Sequence, residues 1–356
     1  MMSPAISTEP VIVRRDGAVG HISLNRPKAL HALTQAMCET ISAALLEWRL
    51  DDRIEAVIVD HAEGRGFCAG GDVALVRRSA LEDGGTAGRA FFHAEYRMNH
   101  LLFTYPKPTV CFMDGVTMGG GMGLALPCTH RIATENTLLA MPETAIGLFP
   151  DVGGGRYLSR LRWRYGRFLA LTGARLDPAE CVHLGLATRY VPAERLAELK
   201  ATLARDPGSA DRHIALAGAD PGVARIGGNR LNIMRHFDFD RFEDILASLE
   251  ADDGKWAAKE LATLRAKSPQ ACKVALEVLR RGAETEDFAE EMRREYTVAA
   301  RVIMRPDFAE GVRAVLVDKD NAPRWEPAAP EGVTEAMLDA IFAPLPPGEE
   351  WTPYPA

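Results

Sequence analysis

The sequence predicts an α/β fold with stacked sheets, followed by a helical C-terminal region. Two observations predict it. A strand, a glycine-rich loop and a helix follow one another repeatedly over the first two hundred residues, and from about residue 268 apolar residues recur at helical spacing. Apolar runs at 11–13 and Val19–Leu24 flank Asp16-Gly17, a dipeptide that tolerates positive φ, so the chain opens with a hairpin. Met37, Ile41, Leu45 and Trp48, following Thr34, lie on one face of a helix. A short buried strand at 56–59 then runs into the glycine loop 64–71. The pattern repeats with a strand at Thr109–Met113, a turn at Gly119, Gly120 and Gly121, a helix to about Leu126, and strands at 131–134 and 138–141.

After about residue 205 the composition changes. The stretch 206–228 is rich in Gly, Ala, Asp and Pro and reads as a connector. Ser268-Pro269 caps and starts a helix carrying Val274, Val278 and Leu279, and Asp287 precedes a second with Phe288, Met292, Tyr296 and Ala299 on one face. These apolar positions are expected to be core or subunit contact. From Pro323 the prolines predict a tail that wraps over the surface or is partly disordered.

With 356 residues, 47% hydrophobic and 26% charged, the chain is long enough for a sizeable core in one large domain or two moderate ones. A formal charge of −7, with Lys and Arg scattered, argues against a general nucleic-acid binder. Cys38, Cys68, Cys111, Cys128, Cys181 and Cys272 form no C-x-x-C pair, so reduced thiols in the cytoplasm are expected rather than a zinc ribbon or disulfide scaffold. The start, through Gly17, has neither the apolar core of a secretory signal nor the Arg run of a transit peptide. No membrane association is expected. His93 and His100 read as packing or surface residues rather than a metal pair, and no metal is expected. There is no G-x-S-x-G elbow and no H-E-x-x-H helix. Gly64, Gly66 and Ala69 fit a loose dinucleotide fingerprint, with Glu82 and Asp83 downstream, but the match is weak.

The chemistry concentrates between Gly115 and Leu161. A triple-glycine turn opening an apolar helix lets a ligand approach backbone N–H groups, which is what an oxyanion hole requires. Glu143 follows an apolar strand and Pro142, a position suited to aiming a side chain. Asp151 stands eight residues later, before a second glycine turn at Gly153.

The run from Met141 to Gly155, MPETAIGLFPDVGGG, resembles the enoyl-CoA hydratase/isomerase (crotonase) superfamily and, within it, the 3-hydroxyisobutyryl-CoA hydrolase branch. The resemblance covers most of the chain. Three further stretches carry it: Asn25 to Leu30, Arg65 to Asp72, and the C-terminal signature Asp307 to Asp320. It implies a crotonase ββα spiral and a catalytic core that binds acyl-CoA at 9–205, with a helical region and proline-rich tail at 206–356. It places the oxyanion donors at the N–H groups of Gly71 and Gly120 and the acid/base glutamate at Glu143. That residue would either activate water or attack the thioester carbonyl. Asp151 would accept the substrate's 3-hydroxyl or orient water, and Glu95 aligns with a glutamate that contacts substrate. Two acids beside Glu143 would raise its pKa by repulsion.

Gly123 stands where true hydratases carry their other catalytic glutamate, so this chain lacks half of that pair. The resemblance therefore implies hydrolysis of a small 3-hydroxyacyl-CoA, 3-hydroxyisobutyryl-CoA, in valine breakdown. The only cofactor-like group is the coenzyme A of the substrate, with Arg26, Lys28 and Arg65 as candidate cations for it. Two alternatives stay open: a hydratase or isomerase working with one glutamate, and a non-catalytic acyl-CoA-binding subunit. A homo-oligomer is expected.

Overall fold

The computed structural model describes residues 8–355, so the first seven residues of the chain's start lie outside the described part. The chain divides into two compact units. One comprises Met1–Gly71, Leu101–Leu139 and Leu176–Val223, the other Asp72–His100, Ala140–Arg175 and Ala224–Ala356. The units interleave along the sequence, whereas the sequence reading cut the chain once, at 205.

The first unit holds the sheets. Strands β1 (Val11–Asp16), β2 (Val19–Leu24), β3 (Ala56–His61), β5 (Thr109–Met113), β7 (His130–Ala133) and β9 (Arg189–Tyr190) form a six-stranded sheet in that order. β1 and β2 are the expected antiparallel hairpin; from β2 onward the neighbours run parallel, with Val19 opposite Ala56 and Leu24 opposite His61. β2 and β5 are buried at every position, the mark of a parallel sheet covered on both faces. On one face Val19, Ala56, Ile58, Val110, Phe112 and Ile132 pack against Leu199 and Leu203 of the helix Leu196–Arg205 and against Ile214. Alternate residues along β3 and β5 therefore share one core, and each fully buried side chain of this size contributes roughly 1.5–3 kcal/mol. The buried Asp60 of β3 bonds Ser23 (2.5 Å), His21 (2.9 Å) and Lys200 (2.6 Å). Burial opposes its charge, but His21 and Lys200 hold its carboxyl below the ordinary range.

A second sheet joins β4 (Gly66–Cys68), β6 (Val116–Met118) and β8 (Leu138–Ala140). Part of the expected 64–71 loop is thus a strand, because Gly66 and Cys68 pair with Val116 and Thr117. The dinucleotide fingerprint would need a loop opening a helix there, and β4 occupies its middle.

Helices dominate the second unit. Ser268 caps Pro269–Glu284 by accepting from Ala271 N (3.0 Å), and Asp287 caps Phe288–Val302 by accepting from Ala289 N (2.9 Å). The apolar positions read from these two helices are all buried. The tail wraps, as one of its two expected forms, but it also contains a helix, Glu335–Phe342, capped by Thr334. Trp351 is fully buried, with its indole Nε1 donating to His93 O (3.2 Å). In the first unit, the expected connector 206–228 contains the helix Ala210–Ala217. Ala210 and Ile214, four residues apart, are buried on its inner face, a spacing hidden in the sequence by flanking Gly, Asp and Pro.

Candidate active site

Glu143 opens a single 3-10 turn, Glu143–Ile146, immediately after Pro142, and Gly147 ends it in the left-handed region at φ 71°. The turn is wedged. A Cβ at Gly147 would lie 2.3 Å from Asp307 O, and Thr144 ties it on two sides, donating to Leu171 O (3.0 Å) and accepting from Ser268 N (3.1 Å). Asp307 in turn accepts from the hydroxyl of Ser268 and from Glu326 N (2.7 Å). The start of the C-terminal signature thus holds the Glu143 turn and the cap of the Pro269–Glu284 helix in place. At its other end, Arg313 gathers Glu310, Asp318 and Asp320 within 2.6–2.8 Å.

Asp151 precedes two consecutive left-handed residues, Val152 (φ 52°) and Gly153 (φ 88°), which turn the chain into the helix Gly154–Ser159. Val152 is a β-branched residue in a region such residues avoid, so the surroundings must hold it there. The carboxylate of Glu295 does so in part, accepting from Gly153 N (2.7 Å) and Gly155 N (3.1 Å). The Tyr96 hydroxyl donates to Asp151 Oδ2 (2.7 Å).

The helix Thr86–Phe103 brings Glu95 to the same place. Glu95, Glu143 and Asp151 are each at most 5% exposed. Among the described residues, Glu95 Oε1 and Glu143 Oε2 have no hydrogen-bond partner. Burial, then Asp151, then Glu143, push the Glu95 carboxyl well above its ordinary value. Burial and the charge of Asp151 do the same for Glu143, opposed by Lys267. Asp151 is raised by burial to about 6, with the Tyr96 bond pulling the other way. Three buried carboxyls, two of them with an acceptor atom left open among the described residues, have the chemistry for proton exchange and for bonding a hydroxyl. Of the two acids anticipated to repel Glu143, Asp151 does so, while Glu95 is itself raised by Glu143.

Sequence reading missed Tyr96, Glu295 and Asn99. Asn99 lies one helical turn after Glu95, is fully buried, and bonds no described residue through Oδ1 or Nδ2. Nothing in the sequence distinguished these three from core residues of amphipathic helices. His93 and His100 take the first of the two roles expected of them and pack, His93 edge-on to Tyr296 and His100 stacked on Phe288.

In the other unit the two glycine turns adjoin. Gly70 sits at φ 107°, and a Cβ there would lie 3.6 Å from Gly120 N; Gly119 is at φ 48°. A side chain at Gly121 would meet Cys68 O at 2.3 Å, so close packing fixes that glycine whatever it binds. Gly71 bridges Leu33, and Gly120 opens the short buried helix Gly120–Ala125 that contains Gly123. Lys28 and Arg65 are exposed, whereas Arg26 bonds Ala32 O.

A profile described as enoyl-CoA hydratase/isomerase matches residues 19–342. The chain belongs to the enoyl-CoA hydratase/isomerase family. Among similar members is a mitochondrial 3-hydroxyisobutyryl-CoA hydrolase of Gallus gallus, 38% identical over 95% of this chain and 90% of its own length. Another, also named mitochondrial, comes from Danio rerio, 38% identical over 97% of this chain and 92% of its own length. A solved structure named carnitinyl-CoA dehydratase, from Mycobacterium thermoresistibile, superposes with a TM-score of 0.92 at 39% identity, over 97% of this chain and 99% of that one. This family member has the crotonase fold.

The relatives' mitochondrial naming overturns the expected cytoplasmic location. The six cysteines are free and buried.

Proposed function

We infer that this chain hydrolyses 3-hydroxyisobutyryl-CoA to 3-hydroxyisobutyrate and coenzyme A, a step of valine breakdown. The observation that carries the reading is the buried trio Glu95, Glu143 and Asp151, in a chain with Gly123 where hydratases have their second glutamate. The activity named for the Gallus gallus and Danio rerio relatives supports it. We assign the N–H groups of Gly71 and Gly120 to the thioester oxygen, Glu143 to acid/base work, and Asp151 with Glu95 to the 3-hydroxyl.

In this reading a water oxygen bonds to the thioester carbon while its proton passes to ionised Glu143, whose raised pKa makes it a competent base. The negative charge that forms on the carbonyl oxygen is met by the glycine amides, and each such donor is typically worth about 10²–10³ in rate. Collapse breaks the C–S bond, and Glu143 returns the proton to the leaving thiolate. Nothing is oxidised or reduced, so the reaction as written needs no redox cofactor, and coenzyme A enters as part of the substrate. The alternative route, attack by Glu143 itself followed by water at the glutamyl carbon of the anhydride, would leave ¹⁸O in the protein after a single turnover in labelled water; the base route leaves it only in the product acid. We also propose that copies associate through their C-terminal helices, which light scattering tests.

The resemblance to the carnitinyl-CoA dehydratase structure favours a second reading, water addition or removal at a double bond. Purified protein distinguishes the two. Trapped thiol appearing from 3-hydroxyisobutyryl-CoA, with crotonyl-CoA absorbance unchanged, supports hydrolysis; the reverse pattern supports hydration.

A further inference from the structure

We propose that Tyr96 and Glu295 are positioning residues that together make Asp151 the first of the acid trio to ionise, Tyr96 by its side chain and Glu295 through the backbone of its turn. The inference rests on the reading that Asp151 meets substrate. The two grips come from packed neighbours. Glu295 and Tyr296 are successive residues of the helix Phe288–Val302; Glu295 accepts the N–H groups of Gly153 and Gly155, and the Tyr296 ring packs edge-on to Tyr96 at 6.4 Å. Tyr96 is completely buried, is also packed on Phe92 at 5.7 Å, and spends its one proton on Asp151 Oδ2.

The arrangement has a chemical consequence. Facing Asp151 are Glu95 and Tyr96 from the helix Thr86–Phe103, Glu143 from its turn, and Glu295 from the helix Phe288–Val302, while Lys267 offsets Glu143. Glu95, Glu143 and Asp151, buried beside one another, oppose each other's ionisation, so the one given a side-chain donor loses its proton first and Glu143 follows at higher pH. Tyr96 gives that donor to Asp151 and to neither glutamate. Burial and the surrounding acids push the Tyr96 hydroxyl well above its ordinary pKa, so it remains a donor throughout the working range. Glu295, by fixing the N–H groups that follow the left-handed pair Val152 and Gly153, keeps the Asp151 carboxylate within reach of that hydroxyl.

The test uses the full-length protein with ¹³C-labelled aspartate carboxyls, titrated by NMR, the Asp151 signal being assigned by its loss in Asp151→Asn. Tyr96→Phe keeps the ring and its packing and removes only the donor. The Asp151 midpoint, near 6 in the wild type, is expected to rise by about one to two pH units in this variant, the size of a lost hydrogen bond to a charged group. Turnover at pH 7 should fall about 2- to 10-fold and recover above pH 8, as that displacement requires. A structural defect would not recover with pH. Glu295→Gln, which turns a donor toward one of the two N–H groups, should lower kcat on the order of tenfold or more with KM held, since the carboxylate is then misplaced. An unmoved Asp151 midpoint in Tyr96→Phe, or an unchanged kcat in Glu295→Gln, overturns the proposal. If the midpoint moves but Asp151→Asn turns over normally, the grip exists and the catalytic role given to Asp151 is what fails. Should Tyr96→Phe not fold, Glu295→Gln decides alone.

Discussion

Asp151→Asn is expected to make the protein more stable at pH 8 while abolishing turnover. Asp151 is 4% exposed, and its pKa rises from 3.8 to about 6 in the folded state. At 1.36 kcal/mol per pH unit, that rise corresponds to about 3 kcal/mol by which the ionised group opposes folding. Between pH 3.8 and 6 the native chain holds a proton that the unfolded chain has released, so stability declines as pH rises through that window. The penalty is complete above about pH 6 and absent below about 3.8. Asparagine cannot ionise, and its carbonyl oxygen can still accept from Tyr96. The substitution should therefore recover up to about 3 kcal/mol at pH 8, and removing the charge also relieves Glu95 and Glu143. At about 2 °C per kcal/mol this is a rise of a few degrees in the unfolding midpoint, shrinking toward zero near pH 4. Calorimetry of wild type and variant at both pH values measures it. A lower midpoint for the variant at pH 8, or the same difference at both pH values, would refute the electrostatic argument.

Two further outcomes follow from the same geometry. Glu143→Gln should bind acyl-CoA with little change in affinity yet lose about 10²–10⁴ in kcat, the usual share of general acid–base catalysis; unchanged turnover removes Glu143 from the chemistry. Gly147→Ala, which forces a Cβ at φ 71° to within 2.3 Å of Asp307 O, should cost about 1–3 kcal/mol or more in urea unfolding, and a neutral result would show that the Glu143 turn is not wedged as described.

Much of the fold was legible because parallel strands and amphipathic helices announce themselves by period. The hairpin at Asp16-Gly17, the strands β3 and β5, and the caps Ser268 and Asp287 were all readable. What was hidden depended on tertiary partners. Gly66–Cys68 is a strand only because Val116 and Thr117 pair with it, and the helix Ala210–Ala217 exists because Ala210 and Ile214 find the face of the sheet. In the site, Glu143 and Asp151 stood out through adjacent proline and glycine, and Glu95 only through family resemblance. Tyr96, Asn99 and Glu295 gave no signal: a tyrosine, an asparagine and a glutamate on amphipathic helices look alike whether they face solvent or a buried acid. Their importance rests on burial and on who accepts whose proton, which no local pattern encodes.

The central claim is that buried carboxyls read the 3-hydroxyl of a thioester that the chain then hydrolyses. The most direct measurement compares kcat/KM for thiol release from 3-hydroxyisobutyryl-CoA with that from isobutyryl-CoA, which differs only in lacking the hydroxyl. A site built to bond a hydroxyl rejects the analogue without it by about 10⁴–10⁵-fold, because its buried polar groups are left unpaired. A ratio of that order is the result expected here. Equal rates on the two thioesters, or no thiol release from the hydroxylated one, would contradict the account.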